Sequence, residues 1–305
     1  MENKVGICIC TFKRQFDLTR LLNSLLDLSN TIKFTTIVVD NDKNGSAHNT
    51  YNSFKDQIQI IYEIEENQGL SNARNKCIKI ARELNLDYIV FLDDDEVVKS
   101  KDWLKNLLDM ENKSNSGIVT GPVLPLYHPK VKEHIRQSGF FSPTRHKDGA
   151  RLPYTGTGNT LIKMAILSEM EEVFNPKFNL SGGEDTYLFS QLVKNGNEII
   201  WCDDAEVLEY IPLERGNMRY VFKRSFYSSI NFTKIEPTLN LNDKKVTIRL
   251  LRIGKGIIKL SKGLYYILLS PFIGLYKFVQ GISFLGNGFG DIIGVLGMNS
   301  YLYKN

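Results

Sequence analysis

The most chemically loaded stretch of the chain is Asp93-Asp94-Asp95-Glu96, which follows the apolar run Tyr88-Ile89-Val90-Phe91-Leu92. A β-branched and aromatic run of this kind reads as an interior strand. Four carboxylates at its end repel one another unless water or a cation meets them. On an extended chain Asp93 and Asp95 fall on one side and Asp94 on the other. Hard oxygen donors on one side suit Mg²⁺ or Mn²⁺, which keep several waters and also take substrate phosphate. The motif by itself admits two readings, a metal-bridged nucleotide diphosphate and a solvated acidic loop.

The elements that would position these acids are strands alternating with helices. Val5–Cys10, Thr35–Val39, Ile58–Tyr62 and Tyr88–Leu92 read as strands. Asp17–Leu28, with Leu18, Leu21, Leu22, Leu25 and Leu26 on one face, and Leu70–Leu84 read as helices. This alternation predicts an α/β fold with right-handed crossovers and a mainly parallel mixed sheet, whose ligands gather at the carboxyl ends of the strands. Thr11, Asp40 and Asp93 all stand at such ends. Further on, Trp103–Met110 reads as a helix, Gly117–Leu124 as a strand, and the Gly-, Pro- and Thr-rich stretch Phe140–Asn159 as a substrate-facing loop. A helix is expected over Tyr187–Lys194 and a short strand over Ile199–Cys202.

At 305 residues the chain can bury a full core. Cys8, Cys10, Cys77 and Cys202 show no paired-Cys metal spacing, which predicts free thiols in a reducing compartment. Met1-Glu2-Asn3-Lys4 leads straight into a strand without the regions of a signal peptide, so a cytoplasmic location is expected. The formal charge of +4 is unevenly placed. Between Val246 and Asn305, seven basic residues (Arg249, Arg252, Lys255, Lys259, Lys262, Lys277 and Lys304) stand against one acid, Asp291, a net of +6 that leaves the first 245 residues at −2. Basic charge mixed with apolar residues points to an anionic membrane surface rather than to nucleic acid.

Taken in order, eight blocks resemble an inverting family 2 glycosyltransferase of the GT-A (Rossmann-like) fold, nearest the bacterial exopolysaccharide and succinoglycan-type glucosyltransferases. They are Cys8–Arg14, Val38–Asp42, Gly69–Asn75, Phe91–Glu96, Gly121–Val123, Gly156–Asn159, Gly182–Thr186 and Pro212–Arg215. The resemblance implies a nucleotide-sugar donor, UDP-linked, gripped by Thr11, Arg14, Asp40, Arg74, Asn75, Asp93 and Asp94. Within that set Asp40 would accept the uracil imide N–H, and Arg74 and Asn75 would hold the ribose or diphosphate. It implies Mn²⁺ or Mg²⁺ on Asp95, with Asp93 and Glu209 as further ligands; Glu209 stands where many members carry a His. Gly158, Asn159, Gly183 and Glu184 would meet the glycan acceptor, and Asp185 would be the general base of a single displacement. Read without the resemblance, Asp185 is a helix cap, Thr11 a turn cap, and Arg14 and Arg74 surface charges. Arg145 and His146 could contact phosphate on a lipid-linked acceptor or simply face solvent, and Trp201 reads as core.

Residues 1–239 are thus expected to form the catalytic domain and 240–305 a basic, apolar helical tail, with Asn240–Lys245 as the hinge. In the tail Pro271 interrupts Leu264–Tyr276, and Lys277 separates that stretch from Phe278–Gly290. A simple span needs about 20 apolar residues, so two short segments fit an interfacial or re-entrant hairpin; the alternative is a helical pair packed on the domain core. The expected partners are a nucleotide sugar, a polyprenyl-diphosphate-linked glycan and the cytoplasmic membrane surface. Two other functions fit an acidic α/β sheet. A sugar nucleotidyltransferase calls for a Gly-rich loop after the first strand, and Thr11–Phe16 contains no Gly. A catalytically silent carbohydrate-binding relative would tolerate loss of Asp95 or Asp185, and both are present.

Overall fold

Alternation within the interior runs decides the layering. In the computed structural model, which describes residues 3–179, 182–239 and 245–297, the chain forms β1 (Val5–Thr11), α1 (Gln15–Ser29), β2 (Thr35–Asp40), α2 (His48–Phe54), β3 (Ile60–Ile64), α3 (Leu70–Glu83), β4 (Tyr88–Asp93), β5 (Glu96–Val98), α4 (Trp103–Ser114) and β6 (Gly117–Thr120). It continues through β7 (Val123–Tyr127), α5 (Glu133–Gln137), β8 (Arg151–Leu152), β9 (Thr160–Lys163), α6 (Glu184–Lys194), β10 (Glu198–Trp201), β11 (Val207–Ile211), α7 (Met218–Leu239), α8 (Lys245–Ile273) and α9 (Leu275–Val295). Two units result: Met1–Leu124 with Thr144–Asn179 and Glu184–Glu209, and Pro125–Pro143 with Leu180–Gly183 and Tyr210–Asn305. Residues 240–244, most of the expected hinge, and Ser181 of the Gly182–Thr186 approach lie outside the described residues, as do Met1, Glu2 and Lys304.

The first unit is built on an eight-stranded sheet in the order β3-β2-β1-β4-β9-β6-β10-β8. The four strands from β3 to β4 are parallel, and β9 is antiparallel to both β4 and β6. Ile7 and Ile9 of β1 face one side, where the leucines of α1 pack with Trp103, Leu104 and Leu107 of α4. Cys8 faces the other, with Ala73, Cys77 and Ala81 of α3 and Leu188, Phe189 and Leu192 of α6. Successive residues of an interior strand serve two cores, which is why these runs are apolar throughout. The predicted strand over 117–124 is two strands, because Pro122 has no N–H for a ladder and a Cβ on Gly121 would strike the Ala205 carbonyl.

The second unit contains three long helices, with α9 packed on both α7 and α8. Glycine inside a helix costs about 1 kcal/mol relative to Ala, yet α9 carries five between Gly281 and Gly294. A Cβ on Gly281 or Gly288 would lie 2.8 Å from the backbone oxygen of Gly263 or Gly256 in α8, and one on Gly286 would lie 2.7 Å from the Phe222 oxygen in α7. Close backbone approach on both sides of α9 compensates for its poor propensity. The tail helices also differ from expectation. α8 continues through Pro271 and ends at Gly274, whose φ of +136° suits glycine. The hydrogen bond that Pro271 cannot donate to the Ile267 carbonyl is supplied by Ser270 Oγ at 2.7 Å. Basic charge here is partly spent internally: buried Asp291 accepts from Arg252 at 3.2 Å and Lys259 at 2.6 Å, while Glu236 takes Arg252 and Lys255.

Gly288→Leu should overpack the α8–α9 contact at a cost of roughly 1–3 kcal/mol. Far-UV circular dichroism during urea unfolding should show an earlier helical transition, and an unchanged transition would refute close approach at this pair.

Candidate active site

Parallel register sets the site. Thr11 lies opposite Asp40 on β2, and Cys10 lies opposite Asp93 on β4, so three strand ends come level. Immediately beyond, Thr11 Oγ1 donates to Asp94 Oδ2 at 2.9 Å, and Arg14 Nη1 donates to Asp94 Oδ1 at 2.9 Å and Asp95 Oδ2 at 3.2 Å. The Arg14–Asp94 pair is lopsided, its side chains 42% and 6% exposed. Burial, opposed by Arg14, pushes the Asp94 carboxyl up to about 7. Burial works against the charge on Arg14 as well, but Asp94 and Asp95 outweigh it and hold the guanidinium firmly protonated.

Asp40 organises the loop that follows it. Its carboxylate is fully buried and accepts from Asp42 N at 3.0 Å, Ala47 N at 2.7 Å and the Tyr62 hydroxyl at 2.9 Å. These contacts fix the orientation of the carboxylate at the strand end. Burial, then Asp40, raises the Tyr62 phenol above its ordinary range, and the Tyr62 ring stacks on Tyr51 with centroids 5.2 Å apart. The sequence reading passed over both tyrosines. Next door, Asn41 accepts from Gly69 N at 2.7 Å and donates to the carbonyls of Glu65 and Asn67, which fixes the start of α3.

That helix delivers Arg74, whose buried guanidinium pairs with Glu184 and, at 3.4 Å, with Asp93. Burial pushes the Glu184 carboxyl up against the pull of Arg74. Asn75 is directed elsewhere. Its amide exchanges two hydrogen bonds with the backbone of Phe174, at 2.7 and 2.8 Å, and braces that segment against α3. Asp185, in the first turn of α6, accepts from Thr186 N through Oδ1 at 2.6 Å. Its Oδ2 has no partner among the described residues and stands 3.4 Å from where a Cβ on Gly156 would lie. A carboxylate with one oxygen anchored and one available at a glycine loop is suited to taking a proton.

The acids after β4 divide their roles. Glu96 is buried, accepts from Asp93 N at 2.9 Å and sits across from Glu209 in the antiparallel β5–β11 pair. Like charges directly opposite are unfavourable; burial and then Asp93 push the Glu96 carboxyl well above its ordinary value. Only its place as the fourth acid of the run marked it in the sequence. A Cβ on Gly158 would strike Glu96 Oε1, so Gly158 shapes the approach to this acid. Asn159 is fully buried and saturated: Trp103 Nε1 donates to it at 2.8 Å, and its Nδ2 donates to the carbonyls of Pro122 and Ala205. It holds the loop rather than facing an acceptor. Gly183 belongs to the second unit, with φ of +94° and Ile235 beside it. Arg145 is engaged by Asp203 and Glu206 at 2.7 Å each, and Trp201 is buried with Nε1 on Asp203.

No group of three or more His, Cys, Asp or Glu among the described residues is arranged to enclose a metal ion. The expectation that Asp93 and Asp95 share one side and Asp94 the other is not met: Asp94 and Asp95 lie in a turn and share Arg14 Nη1, while half-exposed Asp93 meets Arg74. As hard oxygen donors, Asp93 and Asp95 are still of the chemical type that a divalent cation takes.

Residues 6–170 match the model of the family described as Glycosyl transferase family 2. Over 230 residues the chain is 31% identical to the succinoglycan biosynthesis protein ExoM of Rhizobium meliloti (strain 1021), covering 73% of this chain and 72% of ExoM. It is 24% identical over 177 residues to the O-antigen chain rhamnosyltransferase WbaN of Salmonella anatum, covering 56% and 55%. Among solved structures, S. aureus TarS 1-349 in complex with UDP superposes with a TM-score of 0.55 at 15% identity, over 93% of this chain and 89% of that one. That likeness is one of fold, and the fold is the GT-A arrangement expected from the sequence.

Because Asp94 binds its proton more tightly folded than unfolded, its contribution to stability is full below its ordinary value of 3.8, is lost as pH rises to about 7, and is level above that. Asp94→Asn should flatten this part of the pH–stability curve in urea titrations. An unaltered slope would show that Asp94 is not the group responsible.

Proposed function

The chain belongs to glycosyltransferase family 2, and on that premise we propose that it transfers a hexose from a UDP-sugar to a hydroxyl of a growing, lipid-linked cell-surface polysaccharide. The observation that carries this reading is Asp185, with Oδ1 held by Thr186 and Oδ2 open towards the Gly156 loop. In an inverting single displacement, Asp185 Oδ2 takes the proton of the acceptor hydroxyl as that oxygen bonds to the anomeric carbon and the bond to the diphosphate breaks. Asp95, with Asp93 and Glu209 as further oxygen donors, would hold Mn²⁺ or Mg²⁺, whose chemistry when bound is to offset the charge gathering on the departing diphosphate.

Arg14 and Arg74 have different work. Arg74 is buried and committed to Glu184, so it positions that acid beside Asp185. Arg14 is more exposed and bound to two carboxylates through a single nitrogen, which leaves N–H groups for the diphosphate. Polysaccharide assembly in the named relatives' manner supports a glycan acceptor. A location at the cytoplasmic face of the membrane is supported by Val246–Ile273, long and apolar enough to cross a bilayer by length and composition, and by its exposed Leu264, Leu268 and Phe272.

Calorimetric titration of UDP with Mn²⁺ and with EDTA tests the donor site. Binding should require Mn²⁺ and be lost in Asp95→Ala; metal-independent binding in both proteins would remove Asp95 from the metal site. Asp185→Asn should bind UDP as the unmodified chain does while transfer falls by about 10²–10⁴-fold. Undiminished transfer would exclude Asp185 as the base.

A further inference from the structure

Within the helical unit, α8, α9 and the turn after α5 surround a cavity of about 310 Å³. One side is aromatic, with Tyr266 and Phe284 edge to face at 5.4 Å. The other is polar, lined by Ser138, Lys277, Gln280 and Ser283. The polar side is pre-set: Gln280 Nε2 donates to the Ser138 carbonyl at 3.0 Å, leaving Oε1 to accept from Lys277 Nζ at 3.1 Å, and Ser283 Oγ lies 2.9 Å from Ser225 Oγ.

One ammonium group, that of Lys277, lines the cavity, and a second, that of Lys262, lies against its aromatic residues. Lys277 Nζ lies 4.7 Å from the Tyr266 ring centre, and Lys262 Nζ lies 4.5 Å from that of Phe284 and 5.7 Å from that of Tyr266. Neither has a carboxylate partner among the described residues, whereas Arg252, Lys255 and Lys259 of the same unit all do. Two like charges over one shared ring, Tyr266, with no carboxylate paired to either among the described residues, suit an anion with at least two accepting oxygens. α8 and the start of α9 also present apolar residues to the outside: Leu264, Leu268, Phe272 and Leu275 are 56%, 71%, 87% and 58% exposed. An anion carried on hydrocarbon matches both features.

We propose that this cavity binds the phosphodiester headgroup of an anionic phospholipid, with Lys277 on the phosphate, Lys262 adding positive potential from over the Tyr266 and Phe284 rings, and those rings against the glycerol and first acyl carbons. The proposal deepens the membrane-surface reading above by giving it a site, and it has its own test. Calorimetry of the full chain would compare dihexanoyl phosphatidylglycerol below its micelle concentration, dihexanoyl phosphatidylcholine and inorganic phosphate. Phosphatidylglycerol should bind at least tenfold more tightly than either of the others. Lys262→Gln/Lys277→Gln should weaken it at least tenfold, as should Ser283→Leu, which fills the cavity without altering charge. The charge-matched control Lys101→Gln/Lys113→Gln should leave it unchanged, with circular dichroism confirming that each variant is folded.

Absence of phosphatidylglycerol binding, or equal binding by the double variant, overturns the proposal. Phosphate binding as tightly as phosphatidylglycerol reassigns the cavity to a free anion and also overturns it. Sedimentation with phosphatidylcholine vesicles containing phosphatidylglycerol separates the two readings: soluble-lipid binding without vesicle binding overturns the membrane reading and supports the cavity, and vesicle binding without soluble-lipid binding does the reverse.

Discussion

Mutual repulsion of carboxylates at the carboxyl edge of the parallel sheet is the constraint on which the rest of the site depends. Two charges 4 Å apart near a protein surface interact by about 4 kcal/mol, and this edge gathers Asp93, Asp94, Asp95, Glu96, Glu184 and Asp185. All but Asp185 are answered locally. Arg14 spans Asp94 and Asp95, Arg74 spans Asp93 and Glu184, and Glu96 accepts from the Asp93 N–H, its carboxyl pushed up by burial. Both arginines arrive at the beginnings of helices that follow parallel strands, where crossover geometry returns the chain to the same edge. The fold that brings the acids together is therefore the fold that supplies their counter-charges.

Such compensation demands rigidity. Removing one partner of a buried pair leaves an uncompensated charge, a loss of about 3–5 kcal/mol. The framework around Arg74 reflects this. Asn41 fixes Gly69 at the head of α3, Asn179 accepts from Ser71 N at 3.0 Å, and Asn75 locks onto Phe174, whose ring lies 5.5 Å from the Arg74 guanidinium. Three asparagines, each bonding to backbone, hold one arginine in place. Asp185 differs from its neighbours in keeping an oxygen outside these arrangements, and an acid left open beside a saturated network is where proton transfer can occur at little structural cost.

This division was only partly legible beforehand. The strands were readable because interior parallel strands must be apolar on both faces, and the level ends of Thr11, Asp40 and Asp93 followed from topology. What sequence could not show was side-chain direction. Asn75, Asn159 and Asp40 lie inside motifs of the family yet have their polar atoms occupied by the protein itself, because a short polar side chain beside a turn finds backbone groups first. Helix α9 was blurred for the opposite reason. Its glycines argue against a helix by propensity, and only the carbonyls of α7 and α8 against them show why small residues are required. Pro271 marked a break that Ser270 removes by supplying the missing donor.

The basic tail shows how far a charge count departs from available charge. Seven basic residues against one acid suggested a strongly attractive surface, but Asp291 and Glu236 occupy Arg252, Lys255 and Lys259 within the helical unit. Asp291 is wholly buried, and its two cations are as much a condition of α9 packing as the glycines are. Charge spent on folding is screened from a membrane by its own counter-ion, so attraction must come from the cations left over. Since electrostatic attraction fades within a Debye length of about 8 Å, where the remaining lysines stand matters more than how many there are. Lys262 and Lys277 stand together over the Tyr266 ring, in a helical unit whose α8 also carries exposed apolar residues.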